Sequence, residues 1–156
     1  MRIERRSMAP QVEGRKIRLK IPYNSTSTDM GFREVIAPGA FKRTLSDPNA
    51  EVLGFWNHNS DMVLGRRSAG TLSLDDDEEG LLAELEEDET SWSADARAAI
   101  RSGNVRGASF GFIVAPNGDS WDRSGGEWMR TLNDCDLLEL SPVAQPAYGE
   151  SEADLS

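Results

Sequence analysis

Ser109, His58 and a set of carboxylates are the residues of this chain that could carry out covalent acyl transfer. Ser109 sits in Gly107-Ala108-Ser109-Phe110-Gly111. Glycines on either side remove bulk, so a substrate backbone can approach the hydroxyl and the local backbone can take unusual dihedrals. The same residues also read as a strand with a serine on its wet face and glycines marking a bulge. His58 is the only histidine. The apolar run Glu51–Trp56 delivers it into the polar turn Asn57-His58-Asn59-Ser60-Asp61, where an imidazole can serve as a base near neutral pH or be an ordinary satisfied histidine. A histidine that takes the hydroxyl proton needs a carboxylate to fix its tautomer and support the imidazolium. Asp61, Asp134, Asp136 and Glu139 are the candidates. Glu139 is preferred because it lies within a strand pattern, whereas Asp61 shares the histidine's own loop and both Asp134 and Asp136 precede the apolar part of the strand.

Residue order narrows the chemistry. Gly107 to Gly111 fits G-x-S-x-G, but the α/β-hydrolase order puts histidine after the serine, and here the sole histidine comes first. Gly118-Asp119-Ser120 is followed by Trp121, not the glycine that a chymotrypsin-type nucleophile loop requires. One histidine and one distant cysteine are too few ligands for zinc. Asp75, Asp77, Glu79, Gly80 and Glu86 nearly match a calcium-loop spacing, but strand-like sequence flanks them where helices belong, so they read as a solvated acidic hairpin turn. No metal or cofactor is expected.

The elements that must position these groups are short and mostly alternating. Lys16–Ile21 alternates charged and apolar residues, the pattern of a half-buried strand, and Phe32–Ile36 is another short strand. Ala40–Leu45 suits a short helix closed by Asp47-Pro48-Asn49. Strands are expected at Thr71–Leu74 and Leu81–Leu85. A helix over Ala94–Arg101 has Ser91 or Ser93 as its cap and Gly103 as its stop. In the strand that follows, Phe110, Phe112 and Val114 share one face and Ser109, Gly111 and Ile113 the other. Pro116-Asn117-Gly118 signals a hairpin turn and Arg123–Gly126 a second loop. Asp136–Val143 is the last strand; with Leu138 and Leu140 facing the core, Glu139 faces outward as Ser109 does.

Composition bounds the rest. The chain has 156 residues, a net charge of -10 and one cysteine, Cys135. That length fits one domain without disulfide staples, and the charge argues against nucleic acid as a partner. A lone cysteine fits a reducing compartment. No apolar run is long enough to cross a bilayer, and the charged start through Arg6 has no apolar region behind it, so no membrane partner or export is expected.

Several ordered blocks together resemble the prohead maturation proteases of tailed bacteriophages, relatives by fold of the herpesvirus assemblins. They are Ile36–Phe41, Phe55–Asn59, Leu64–Arg66, Gly80-Leu81, Gly103–Val105, Ala108–Phe112, Leu138–Val143 and Pro146–Tyr148. The resemblance implies His58 as base, Ser109 as nucleophile and Glu139 as the acid, in the place where the herpesvirus relatives use a second histidine. It implies an α+β, mostly β fold: a closed antiparallel barrel with peripheral helices over residues 16–148, between an N-terminal arm (1–15) and a flexible tail (149–156). It also implies a serine endopeptidase that trims capsid-protein or scaffold segments, and itself, inside assembling proheads in the host cytoplasm, and it allows a homo-oligomer. The competing expectation is a catalytically silent structural or scaffold protein of the capsid; an esterase or amidase on the same residues ranks below it.

Overall fold

In the computed structural model, which describes residues 2–27, 30–86 and 88–144, short strands dominate, and alternation of charged and apolar side chains is clearest in the third of them. In chain order the first elements are β1 (Glu4–Met8), β2 (Pro10–Glu13), β3 (Lys16–Pro22), β4 (Arg33–Ile36) and helix α1 (Lys42–Ser46). There follow β5 (Leu53–Trp56), β6 (Asn59–Arg66), a single 3₁₀ turn, β7 (Leu72–Asp76) and β8 (Gly80–Leu85). The last are helix α2 (Ser91–Ser102), β9 (Gly107–Val114), β10 (Asp119–Ser124), β11 (Glu127–Leu132) and β12 (Cys135–Val143). In β3, Ile17, Leu19 and Ile21 are buried while the residues between them face outward, as the period of two requires.

The closed barrel expected from the family resemblance does not form. The strands make three open sheets, ordered β1-β9-β12-β5-β6, β10-β11-β4 and β2-β3-β8-β7. A barrel needs every strand paired on both sides. Here each sheet keeps two edges. Where sheets approach, single backbone bonds replace ladders: Asn24 N–H to the Ile36 carbonyl, at 2.9 Å, ties the end of β3 to β4. The chain passes from β1 into β2 through Ala9 to Pro10, which has no N–H to extend the first ladder. What unites the sheets is side-chain packing. Leu19, Ile21 and Leu81 from one sheet, Phe110, Phe112 and Leu140 from another, and Ile36 and Leu132 from the third share one core. Leu85 fills the space over β5 and β6, where a Cβ on Gly54 or Gly65 would come within 2.7 or 2.8 Å of its Cδ2.

Other expectations are met or adjusted locally. The acidic run forms the β7–β8 hairpin, with the Asp77 carboxylate accepting from the backbone N–H groups of Glu79 and Gly80. α2 begins earlier than expected, at Ser91, and its cap is Thr90, whose hydroxyl accepts from the Ser93 N–H at 3.3 Å. Gly103 ends it in the left-handed region, at φ 83°. The turn at Pro116-Asn117-Gly118 does not join a hairpin, because β9 pairs with β1 and β12 while β10 pairs with β11. Residues 1–15, read as an arm, supply β1 and β2 to two different sheets. The block Pro146–Tyr148 and the tail 149–156 lie outside the described residues.

Candidate active site

His58 is placed by a tight turn. Trp56 pairs with Asn59 across β5 and β6, which leaves Asn57 and His58 as the connecting loop. Both residues take positive φ, 55° and 61°, as a two-residue hairpin turn with the strands' own twist demands. Asn57 fixes the turn against the end of β12: its N–H donates to the Pro142 carbonyl at 2.9 Å, and its Oδ1 accepts from the Ala144 N–H at 3.2 Å. The His58 ring thereby hangs beside β12, and its Nδ1 lies 3.2 Å from Glu139 Oε1, a contact between residues 81 apart in sequence.

Glu139 owes its position to a bulge. The β9–β12 register shifts between Leu137 and Glu139, so Leu137 and Leu140 enter the core and Leu138 does not. The sequence-based assignment of Leu138 to the core is thus corrected, because one extra residue in the strand moves the apolar face by one position. Glu139 still shares a face with Ser109, since it pairs with Gly111 while Ser141 pairs with Ser109. The missing side chain at 111 makes room: a Cβ there would stand 3.1 Å from Glu139 Cγ. Arg5 Nε also donates to Glu139 Oε1, at 3.2 Å. Burial pushes the Glu139 carboxyl up, but the hydrogen bonds and positive charges of His58 and Arg5 outweigh it and hold the group below the ordinary carboxylate range.

Ser109 does not lie on a wet face. Its exposure is 0%, and β9 is covered on both faces through Phe112. Its Oγ has no hydrogen-bond partner among the described residues, and none of the hydrogen bonds of His58 reaches it. Ser141 Oγ, directly across the β9–β12 pair, is equally buried and equally without a partner. The structure therefore brings His58 and Glu139 together, sets Ser109 on the adjacent strand and same face, and leaves the hydroxyl unbonded. Of the other acids, Asp134 and Asp136 pair with Arg43 at 2.7 and 3.0 Å, and Asp61 is exposed on β6. A cavity of about 620 Å³, lined by Ser7, Met8, Arg18, Lys20, Asp76 and Leu82 among others, includes neither Ser109 nor His58. Among the described residues no group of three His, Cys, Asp or Glu side chains is placed to hold a metal ion.

The family model for the caudovirus prohead serine protease matches residues 18–156. The chain belongs to that family. It is also 36% identical, over 95 residues, to the prohead protease of Enterobacteria phage HK97. That match takes in 60% of this chain but only 39% of the relative's length. No solved structure matches. Within this prohead protease family member, two residues beside the site escaped sequence reading. Ser141 carries a signal, two positions beyond Glu139 on the same strand, but its place opposite Ser109 needs the register. Arg5 carries none, because only the pairing of β1 with β9 brings it near.

Proposed function

We propose that the chain is a serine endopeptidase in which Ser109 is the nucleophile, His58 the general base and Glu139 the orienting acid. The observation that carries this reading is the His58–Glu139 contact, made on the face of the sheet that also bears Ser109. An ionised carboxylate only accepts hydrogen bonds, so Nδ1 donates to it and the lone pair is left on Nε2. Nε2 can then take the Ser109 proton as Oγ attacks a peptide carbonyl, and return it to the departing amine; water repeats the sequence on the acyl-enzyme. The Ser109 hydroxyl is buried and makes no bond to the ring. Binding of an extended substrate therefore has to open the path and close the Oγ–Nε2 distance, as often happens when catalytic hydrogen bonds tighten in the substrate complex.

Family membership supports capsid-protein or scaffold segments as substrates, with the protein itself as a further one, and the interior of the assembling prohead in the host as the place of action. The net charge of -10 is compatible with a protein that does not cling to DNA. The burial of Ser109 favours one rival, a catalytically silent capsid protein that keeps the fold. Incubation of the protein with its cognate capsid protein, followed by intact mass, decides between them. The wild type should release defined fragments and Ser109→Ala none; fragments that persist with Ser109→Ala would falsify the nucleophile.

A further inference from the structure

The site has a fourth charged member supplied by the first strand. β1 lies at the edge of the five-stranded sheet, antiparallel to β9, with Arg5 opposite Gly111 and Ser7 opposite Ser109. On the other side of β9, Gly111 pairs with Glu139. Arg5, Gly111 and Glu139 thus form one row across three strands, and two strand spacings separate the ends of that row by about 10 Å. An arginine covers such a gap only if nothing stands in the middle. Gly111 provides the opening, since a Cβ at that position would meet Glu139 Cγ at 3.1 Å and Oε1 at 3.6 Å. Arg5 Nε reaches the same oxygen that His58 Nδ1 contacts, each at 3.2 Å.

The neighbours of Arg5 fix which way it points. Glu4 and Arg6 face the opposite side of β1, where Arg6 pairs with Glu34 at 2.7 Å and Glu4 with Arg130 at 2.7 Å. A slip of β1 by one residue would exchange the two faces and take Arg5 away from Glu139. Those ion pairs therefore set the register that delivers Arg5. The family match covers residues 18–156, so this strand lies outside the matched part of the chain.

We propose that Arg5 is a positioning residue of the candidate site: by holding Glu139 Oε1 across Gly111 it fixes the carboxylate for His58 and takes a share of its charge. The proposal rests on the reading of His58 and Glu139 as base and acid. The groups that meet Glu139 Oε1 are Arg5 from β1 and the His58 imidazole. With Arg5 removed, Glu139 loses the bond that holds Oε1 in place and can turn away from Nδ1.

Because His58 is the only histidine, labelling with ¹⁵N-histidine gives ring signals that need no assignment. At alkaline pH the wild-type ring signals should be those of the Nδ1–H tautomer that Glu139 selects. In Arg5→Gln and Arg5→Met they should move toward the Nε2–H tautomer, and Arg5→Lys should return them most of the way. On a peptide substrate kcat should fall by about tenfold in the two neutral variants with little change in KM. Identical ring signals in the wild type and in whichever neutral variants fold would overturn the proposal, because a merely structural Arg5 would leave the tautomer in place. The ring signals need no turnover, so failure of the protease reading shows separately, as a wild type that cleaves nothing while its tautomer still answers to Arg5.

Discussion

The two faces of β1 lead to two polar clusters, and they differ in how completely they are satisfied. On one face Glu4 and Arg6 join Glu34 of β4, Arg130 of β11 and Asp119 of β10. Each carboxylate there meets at least one guanidinium within 3.0 Å, and Glu34 is only 3% exposed. Arg6 and Arg130 also lie over the Phe112 and Trp121 rings. On the other face Arg5, Glu139 and His58 are linked, yet Ser109 and Ser141 are buried without partners and His58 sits in a left-handed backbone conformation. A buried polar group without a partner costs about 1–3 kcal/mol. The first cluster ties the five-stranded sheet to the three-stranded one; the second keeps that cost where, on the proposed reading, a hydroxyl has to stay free to react.

The largest effects should separate the clusters cleanly. Ser109→Ala removes the proposed nucleophile and an orphaned hydroxyl at once. It should abolish cleavage while raising stability by about 1 kcal/mol, seen as a melting temperature higher by about 2–4 °C. Glu34→Ala should do the reverse, costing about 3–5 kcal/mol because the buried Arg6 and the half-buried Arg130 lose a shared partner. A Ser109→Ala protein clearly less stable than the wild type would show that Ser109 has a structural bond after all. A near-neutral Glu34→Ala would remove the distinction from the other side.

Next in size is Glu139→Gln. If the carboxylate only orients and stabilises His58, the rate should fall by up to about 10⁴-fold with residual activity and little change in substrate binding. A near-normal rate for Glu139→Gln, with collapse for Asp61→Asn, would move the role to the turn. Asp134 and Asp136 are weaker alternatives, as both are engaged by Arg43.

How far the sequence led differs between these same regions. The half-buried strands were legible because a one-sided sheet writes its burial as alternation, as in Lys16–Pro22. α2 was legible through Gly103 and its helix-forming middle, but Thr90 was missed as the cap because serines stood beside it. His58 and Ser109 stood out by residue type and by the family blocks around them. Ser109's burial did not, because β9 lies inside a sheet covered on both faces and alternation then says nothing about water. The bulge at Leu138, the pairing of Arg5 with Gly111 and the open edges that replace a barrel all depend on contacts between distant residues. Local pattern cannot encode these, since register is set where strands meet.

A smaller effect, dependent on pH, tests whether the clusters share one kind of electrostatics. Burial raises the Glu4 and Glu139 carboxyls, but their arginine partners, with His58 for Glu139, more than reverse it, so both lie below the ordinary range. For groups lowered in the folded state, the stability they contribute is complete above the unfolded pKa, about 4.3, and is lost as pH falls through the folded values. Urea midpoints should therefore be flat above about pH 5 and decline below it. The gap between wild type and Glu139→Gln should shrink over the same descent. A gap that stays constant to pH 3 would mean that the Glu139 charge contributes nothing to folding.

The smallest expected effect compares two buried nucleophiles. Cys135 is fully buried at the start of β12, and burial pushes its thiol up to about 12, with the nearby carboxylates adding to the rise and Arg130 opposing it. A thiolate is therefore scarce at neutral pH, and thiolate is the reactive form. Iodoacetamide at pH 8 should leave Cys135 unmodified and activity unchanged until urea unfolds the chain. Ser109 is just as buried, so exposure alone predicts equal silence toward a fluorophosphonate. On the proposed reading the difference is His58, held by Glu139 on the same face, which would take the serine's proton whenever the path opens, whereas no histidine remains to serve Cys135. Labelling of Ser109 without labelling of Cys135 would show that chemistry, not access, separates them. If both stay unlabelled in folded protein, Ser109 is a core serine and the silent capsid protein becomes the better reading.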